Sequence, residues 1–166
     1  MSSGAAATGL FLAGLALASA RSPASLPEVT VQIGGQRLTV EVAATPAARA
    51  RGLSGRDRLR PDRGMLFVWP HPGPRRFWMK DTRMPLAVAF LDSSGRILNI
   101  HRMAPPSPAR EGFRYYPSQG AARFALEVNR GWFAEHGIGP GDRCRFHLPA
   151  GVAGRRPLTV GDAPGS

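Results

Sequence analysis

The sequence predicts a mostly β domain, an antiparallel sandwich or barrel-like fold carrying one or two short helices. Three observations predict it. Apolar residues recur at every second position in several short stretches. Gly-, Pro- and Asp-rich turn signals separate those stretches at short intervals. No strand–helix–strand rhythm, the sign of a parallel sheet, runs through the chain.

The elements follow in order. Val29, Val31 and Ile33 alternate, Gly34-Gly35 intervenes, and Leu38, Val40 and Val42 alternate again, which predicts a hairpin over 29–42. Thr45-Pro46 opens a helix, with Thr as N-cap and Pro in the first turn, and Gly52 closes it. Met65-Leu66-Phe67-Val68-Trp69 is a continuous apolar strand between Gly64 and Pro70. Phe77-Trp78-Met79 begins another strand. Leu86–Leu91 and Ile97–Ile100 form a hairpin about Asp92-Ser93-Ser94-Gly95. Phe124, Leu126 and Val128 alternate within Ala122–Asn129. Trp132 to His136 makes a helical turn or two before Gly137, and Arg143–Leu148 is the final strand.

The organisation is that of one exported domain. An apolar run from Ala5 to Leu17 precedes Ala18-Ser19-Ala20, the pattern of a signal peptide cut after residue 20. Its leading segment has no Lys or Arg, so an uncleaved membrane anchor is the competing reading. Residues 21–27 are a linker, 28–148 the β domain, and 149–166 a Gly- and Pro-rich flexible tail. This places the protein in the periplasm or outside the cell, as a monomer, at a membrane only if the leading segment is retained.

The chain carries a net charge of +11, almost all of it arginine, with Lys80 the one lysine. Such charge suits nucleic acid, anionic lipid or an acidic polymer. The arginines are scattered and no RNA-binding aromatic motif accompanies them, so an anionic envelope polymer or a small molecule is expected as partner and nucleic acid is not. Cys144 is the one cysteine and reads as a small core residue. The four histidines lack zinc-site spacing, so neither a metal nor a cofactor is expected.

Candidate chemistry concentrates between Gly64 and Leu91. On a strand, Trp78, Lys80 and Thr82 would share one face and Met79 and Asp81 the other. An aromatic beside a lysine and a hydroxyl is a cradle for a sugar or an anion; the bland alternative is a core tryptophan with a lysine lying over it. Glu127 lies inside the apolar run Phe124–Val128. It points either to solvent or into a groove beside Arg51 or Lys80, where its pKa would be shifted.

These residues carry a resemblance. Arg51-Gly52-Leu53, Gly64-Met65-Leu66-Phe67, Phe77 to Thr82 with Pro85-Leu86, Tyr116-Pro117-Ser118, Leu126 to Asn129 with Gly131, and Gly137-Ile138 with Gly141-Asp142 resemble the bacterial and archaeal family known as domain of unknown function 192, over about residues 28–148. The resemblance implies a small sandwich or barrel-like β fold, often exported, and no defined activity. Two positions depart from the family pattern: Asp81 stands where Asn is usual, and Ala87 where Asp is usual.

Three functional readings follow. The first is a small-ligand or glycan-binding module, with Trp78 as platform and Arg51, Lys80, Asp81, Thr82 and Glu127 as polar contacts. The second is a hydrolase or lyase acting on an envelope polymer, with Asp81 and Glu127 as acid–base pair. The third is a structural or assembly partner of envelope components that uses the basic surface.

Overall fold

The computed structural model describes residues 25–107 and 114–161. The signal segment and most of the linker lie outside the described residues. Among those described, no helix is long and apolar enough to cross a membrane.

The chain opens with the expected hairpin, β1 (Glu28–Ile33) and β2 (Gln36–Ala43). Gly34 and Gly35 both take positive φ, 55° and 77°, the backbone a two-residue turn with the sheet's own twist requires. Helix α1 (Pro46–Arg51) follows, its first turn capped by the Thr45 hydroxyl, which accepts from the Ala48 amide at 3.1 Å. Then come β3 (Arg63–Gly73), β4 (Arg76–Phe77), β5 (Leu86–Leu91) and β6 (Ile97–Met103). The rest is β7 (Tyr116–Pro117), β8 (Ala122–Asn129), α2 (Trp132–Glu135), β9 (Arg145–Leu148) and β10 (Leu158–Val160).

Eight strands form one sheet in the order β10-β9-β1-β2-β3-β8-β5-β6, and β4 pairs with β7 in a separate two-stranded ladder. The mostly β fold with two short helices is as expected, with one correction to its topology. β2 and β3 run parallel, whereas every other ladder is antiparallel. A parallel pair needs a crossover of about a dozen residues or more, and segment 44–62, with α1 in its first half, supplies it. The sheet is therefore mixed.

The sheet also curls without closing. Its far ends approach where Arg96 bridges Arg143, and the Cys144 amide donates to the Gly95 carbonyl at 2.8 Å. No continuous ladder joins β9 to β6 among the described residues, so the barrel alternative is not realised.

Each face of the sheet has its own core. Val31, Val40, Leu66, Ala89, Phe124, Leu126 and Phe146 fill the inside of the curl, with Trp132 and Phe133 of α2 over one opening. Cys144 is buried in this cluster, and burial, with Asp142 adding to it, pushes its thiol pKa up to about 12. The outer face carries Met65, Phe67, Val88, Phe90 and Ala125 under a cover of Leu53, Phe77, Met79, Met84 and Tyr116. The β4–β7 ladder is part of that cover, which gives the outer face a sandwich-like second layer. Both faces of β5 are therefore buried along its whole length, as the unbroken apolar run Leu86–Leu91 suggests.

Of the tail expected to be flexible after residue 148, residues 162–166 lie outside the described residues, and the described part carries one further strand. β10 adds to the sheet edge through Leu158↔Leu148, Thr159↔His147 and Val160↔Phe146, and Val160 is buried. Three alternating residues within a Gly- and Pro-rich stretch are too few to read as a strand without the partner that pairs them.

A buried carboxyl under an aromatic and cationic rim

Glu127 belongs to β8, opposite Met65 of β3 and Val88 of β5 in the flanking ladders. Leu126 and Val128 point into the curl, so strand alternation sends Glu127 to the outer face. That face is not solvent. Glu127 is 4% exposed, one of three buried polar or charged residues among those described. Burial pushes its pKa up to about 8, and burial alone accounts for the shift. Glu41 shows the opposite case. Its carboxylate accepts from Arg56 Nη1 and Nη2, at 2.5 and 2.8 Å, and that pairing holds its pKa below the usual range.

The roof over Glu127 is built by loops. β4 ends at Phe77, so Trp78 to Thr82 are not the strand that alternation predicts. Asp81 has φ of 54°, and the Thr82 amide returns to the Met79 carbonyl at 3.1 Å. This turn exposes Trp78, Lys80 and Asp81 and buries Met79 and Thr82, so Thr82 leaves the face it would have shared with Trp78 and Lys80. The turn is tied to the segment after α1. The Gly55 amide donates to the Asp81 carbonyl at 2.8 Å, and the Ser54 hydroxyl to the Lys80 carbonyl at 3.2 Å. Thr82 donates its hydroxyl to the Lys80 carbonyl at 3.3 Å, inside the turn.

Between sheet and roof lies a cavity of about 40 Å³. Arg51, Trp78, Lys80, Thr82 and Glu127 all line it, so the structure brings together five of the six residues singled out in the sequence. Asp81 is not among its lining residues. Its side chain is exposed, and what it contributes is a left-handed backbone. Asn and Asp both tolerate that conformation, so the backbone accepts Asp81 where the resemblance led one to expect Asn. Ala87, the other departure, lies on the opposite face of the sheet. It lines a separate pocket of about 250 Å³ beside Arg102, Arg130 and Phe133. Asp81 and position 87 thus belong to different sites.

Three residues that no sequence pattern marked also contribute. Arg49 lines the cavity and is fixed by donating to the Ala44 and Val68 carbonyls at 2.5 and 2.8 Å. Phe77 forms part of the wall and packs edge-on to Phe67 at 4.7 Å and to Phe90 at 5.5 Å. Tyr115 lies parallel to Trp78, with ring centroids 6.0 Å apart and 12° between planes. Trp78 and Tyr115 are 43% and 45% exposed, the two large apolar side chains most open to solvent among the described residues. Lys80 stands 5.7 Å from the Trp78 ring and Arg76 4.6 Å from that of Tyr115. Alternation could have flagged Tyr115, since its neighbour Tyr116 is buried by the β4–β7 ladder. Among the described residues, no group of three or more His, Cys, Asp or Glu side chains could hold a metal ion.

A small curled-sheet domain with one buried carboxyl beneath an aromatic and cationic rim is thus the class of protein the fold and site define. The chain belongs to DUF192, a family described as "Uncharacterized ACR", whose model matches residues 29–146. Two crystal structures resemble it. A Sinorhizobium meliloti protein described as a "putative transcription regulator" is 34% identical, with 75% of this chain and 98% of that one covered, at a TM-score of 0.68. A protein of unknown function from Novosphingobium aromaticivorans is 35% identical, with 82% and 99% covered, at 0.63. No curated protein matches the sequence.

Proposed function

We propose that this protein is a binding module of the cell envelope that takes a small molecule or a glycan unit at the Glu127 cavity. One observation carries the reading. A carboxyl almost wholly removed from water, with no cationic contribution to its pKa, lies at a cavity whose rim holds an exposed tryptophan. A lone buried carboxyl costs stability, and a ligand that hydrogen-bonds it offsets that cost. Trp78 and Tyr115 offer a ring-sized apolar surface beside it. Export, read from Ala5–Leu17 and Ala18-Ser19-Ala20, supplies the setting.

Binding is favoured over hydrolysis because the cavity is lined by one carboxyl and acid–base cleavage of a glycoside uses two. The description of the S. meliloti relative raises nucleic acid as a partner. The described helices here are six and four residues long, too short to serve as a helix read into a major groove.

The test is a thermal-shift panel of glycans and metabolites on the wild type, Trp78→Ala and Glu127→Gln, with duplex DNA as a control. A compound that stabilises the wild type and loses its effect in Trp78→Ala supports the reading. The reading is abandoned if no compound shifts the wild type, or if DNA alone does.

A further inference from the structure

We infer that the cavity accepts a carboxylate carried on a sugar ring, so that the ligand is an acidic glycan unit of the uronic-acid class. The inference rests on the binding reading above and adds the chemistry of the ligand.

Charge comes first. Arg51 and Lys80 line the cavity, no salt bridge among the described residues uses either of them, and Arg49 adds a third cation. Among the described residues, the one carboxyl lining the cavity is Glu127, whose burial disfavours its charged form. Three cationic residues and one carboxyl thus line the cavity, with Arg51 and Lys80 exposed at its rim. A neutral ligand would leave that charge unanswered, and a cationic one would be repelled.

Size comes second. The cavity is about 40 Å³, of the order of one to a few waters, so it suits a small group better than a whole ligand. It suits a planar group of three heavy atoms. The rest of the ligand must stay outside the cavity, where the Trp78–Tyr115 pair lies.

The hydrogen bond comes third. A protonated carboxyl donating to a carboxylate makes a short, charge-assisted O–H···O⁻ bond, stronger than one to a hydroxyl. Glu127 would donate its proton to the incoming carboxylate, Arg51 and Lys80 would balance the remaining charge, and the sugar ring would rest against Trp78. The charged groups around Glu127 are Arg49 and Arg51 from α1 and Lys80 from the turn after β4, while β3 and β5 present Met65 and Val88 to it. When Glu127 ionises, two carboxylates face each other and the ligand is expelled.

The experiment is titration calorimetry of the purified protein with methyl glucuronoside, methyl glucoside and cyclohexanecarboxylate at about pH 6 and about pH 9. The glucuronoside is expected to bind at least about tenfold more tightly than either control at the lower pH, and to weaken by about tenfold at the higher. Glu127→Gln, which keeps a neutral donor, is expected to retain binding and lose the pH dependence. Lys80→Met is expected to weaken the glucuronoside and leave the glucoside unchanged. Equal binding of the glucoside, equal binding of cyclohexanecarboxylate, or a pH dependence that survives Glu127→Gln overturns the inference. If neutral compounds bind in a Trp78-dependent way and the glucuronoside does not, the inference fails and the binding reading stands. If nothing binds, both fail.

Discussion

Glu127 faces Met65 across the β3–β8 ladder, so an ionisable carboxyl is paired with a fully buried thioether in the middle of the sheet. This pairing governs how stability depends on pH. The folded-state pKa of Glu127 is raised to about 8 from an ordinary 4.5, so the folded protein holds a proton that the unfolded chain has released across that interval. The stabilisation is fully present below about pH 4.5 and is lost as pH rises through about 8. Between those values this one group should lower stability by up to about 1.4 kcal/mol per pH unit. Urea denaturation of wild type and Glu127→Gln across the interval measures the difference. The variant should be the more stable at about pH 8 and should lack that slope.

Phe77 and Trp78 are neighbours in sequence with opposite roles. Phe77 is wedged between Phe67 and Phe90, whereas Trp78 is 43% exposed. Phe77→Ala should cost about 3–5 kcal/mol, the usual range for emptying an aromatic core position. Trp78→Ala should cost less than about 1.5 kcal/mol while removing ligand-induced stabilisation. Thermal unfolding of both, with and without a hit from the ligand panel, separates the two. Equal destabilisation would make Trp78 a packing residue and remove the platform.

Asp81 acts through its backbone. With φ at 54°, it occupies a region that costs an ordinary L-residue about 1–2 kcal/mol and Asn or Asp less. Asp81→Asn should therefore leave both stability and binding unchanged. Asp81→Val should destabilise by about 1–2 kcal/mol and loosen the turn that carries Lys80 and Thr82. If Asp81→Asn abolished a measured activity, the carboxylate itself would be required and the acid–base reading with Glu127 would be restored.

Much of this was legible from the residues. Alternation located the β1–β2 and β5–β6 hairpins and β8, and Thr45-Pro46 with Gly52 marked α1. What escaped depended on contacts distant in sequence. The parallel β2–β3 pair follows from the length of segment 44–62 and from where its strands find room, neither of which is a local pattern. The burial of Glu127 is set by a roof from residues 53–54 and 77–82, remote from β8 in the chain. Asp81 could be read as a strand residue because a single left-handed position has no periodicity. Five of the six candidates still converged on one cavity, although only Thr82 and Glu127 of them are buried.

Gly64 tests how firmly the sheet holds the carboxyl in place. A Cβ built at this residue would meet the Glu127 carbonyl oxygen at 2.6 Å, Val128 Cγ1 at 3.2 Å and Val40 Cγ1 at 3.3 Å. The first of these is backbone, so no side-chain rotation relieves it; β3 and β8 would have to separate beside the site. Gly64→Ala should therefore destabilise by about 1–3 kcal/mol, although alanine has the better intrinsic strand geometry. The consequence for Glu127 is distinct from the loss of stability. Opening β8 at this point admits water to the carboxyl and draws its pKa down from about 8 towards 4.5. Carboxyl carbon chemical shifts of Glu127, followed by NMR against pH in wild type and Gly64→Ala under conditions where both are folded, measure this directly. A midpoint unmoved by the substitution would mean that the roof over the cavity, rather than the closeness of β3 to β8, keeps water from Glu127.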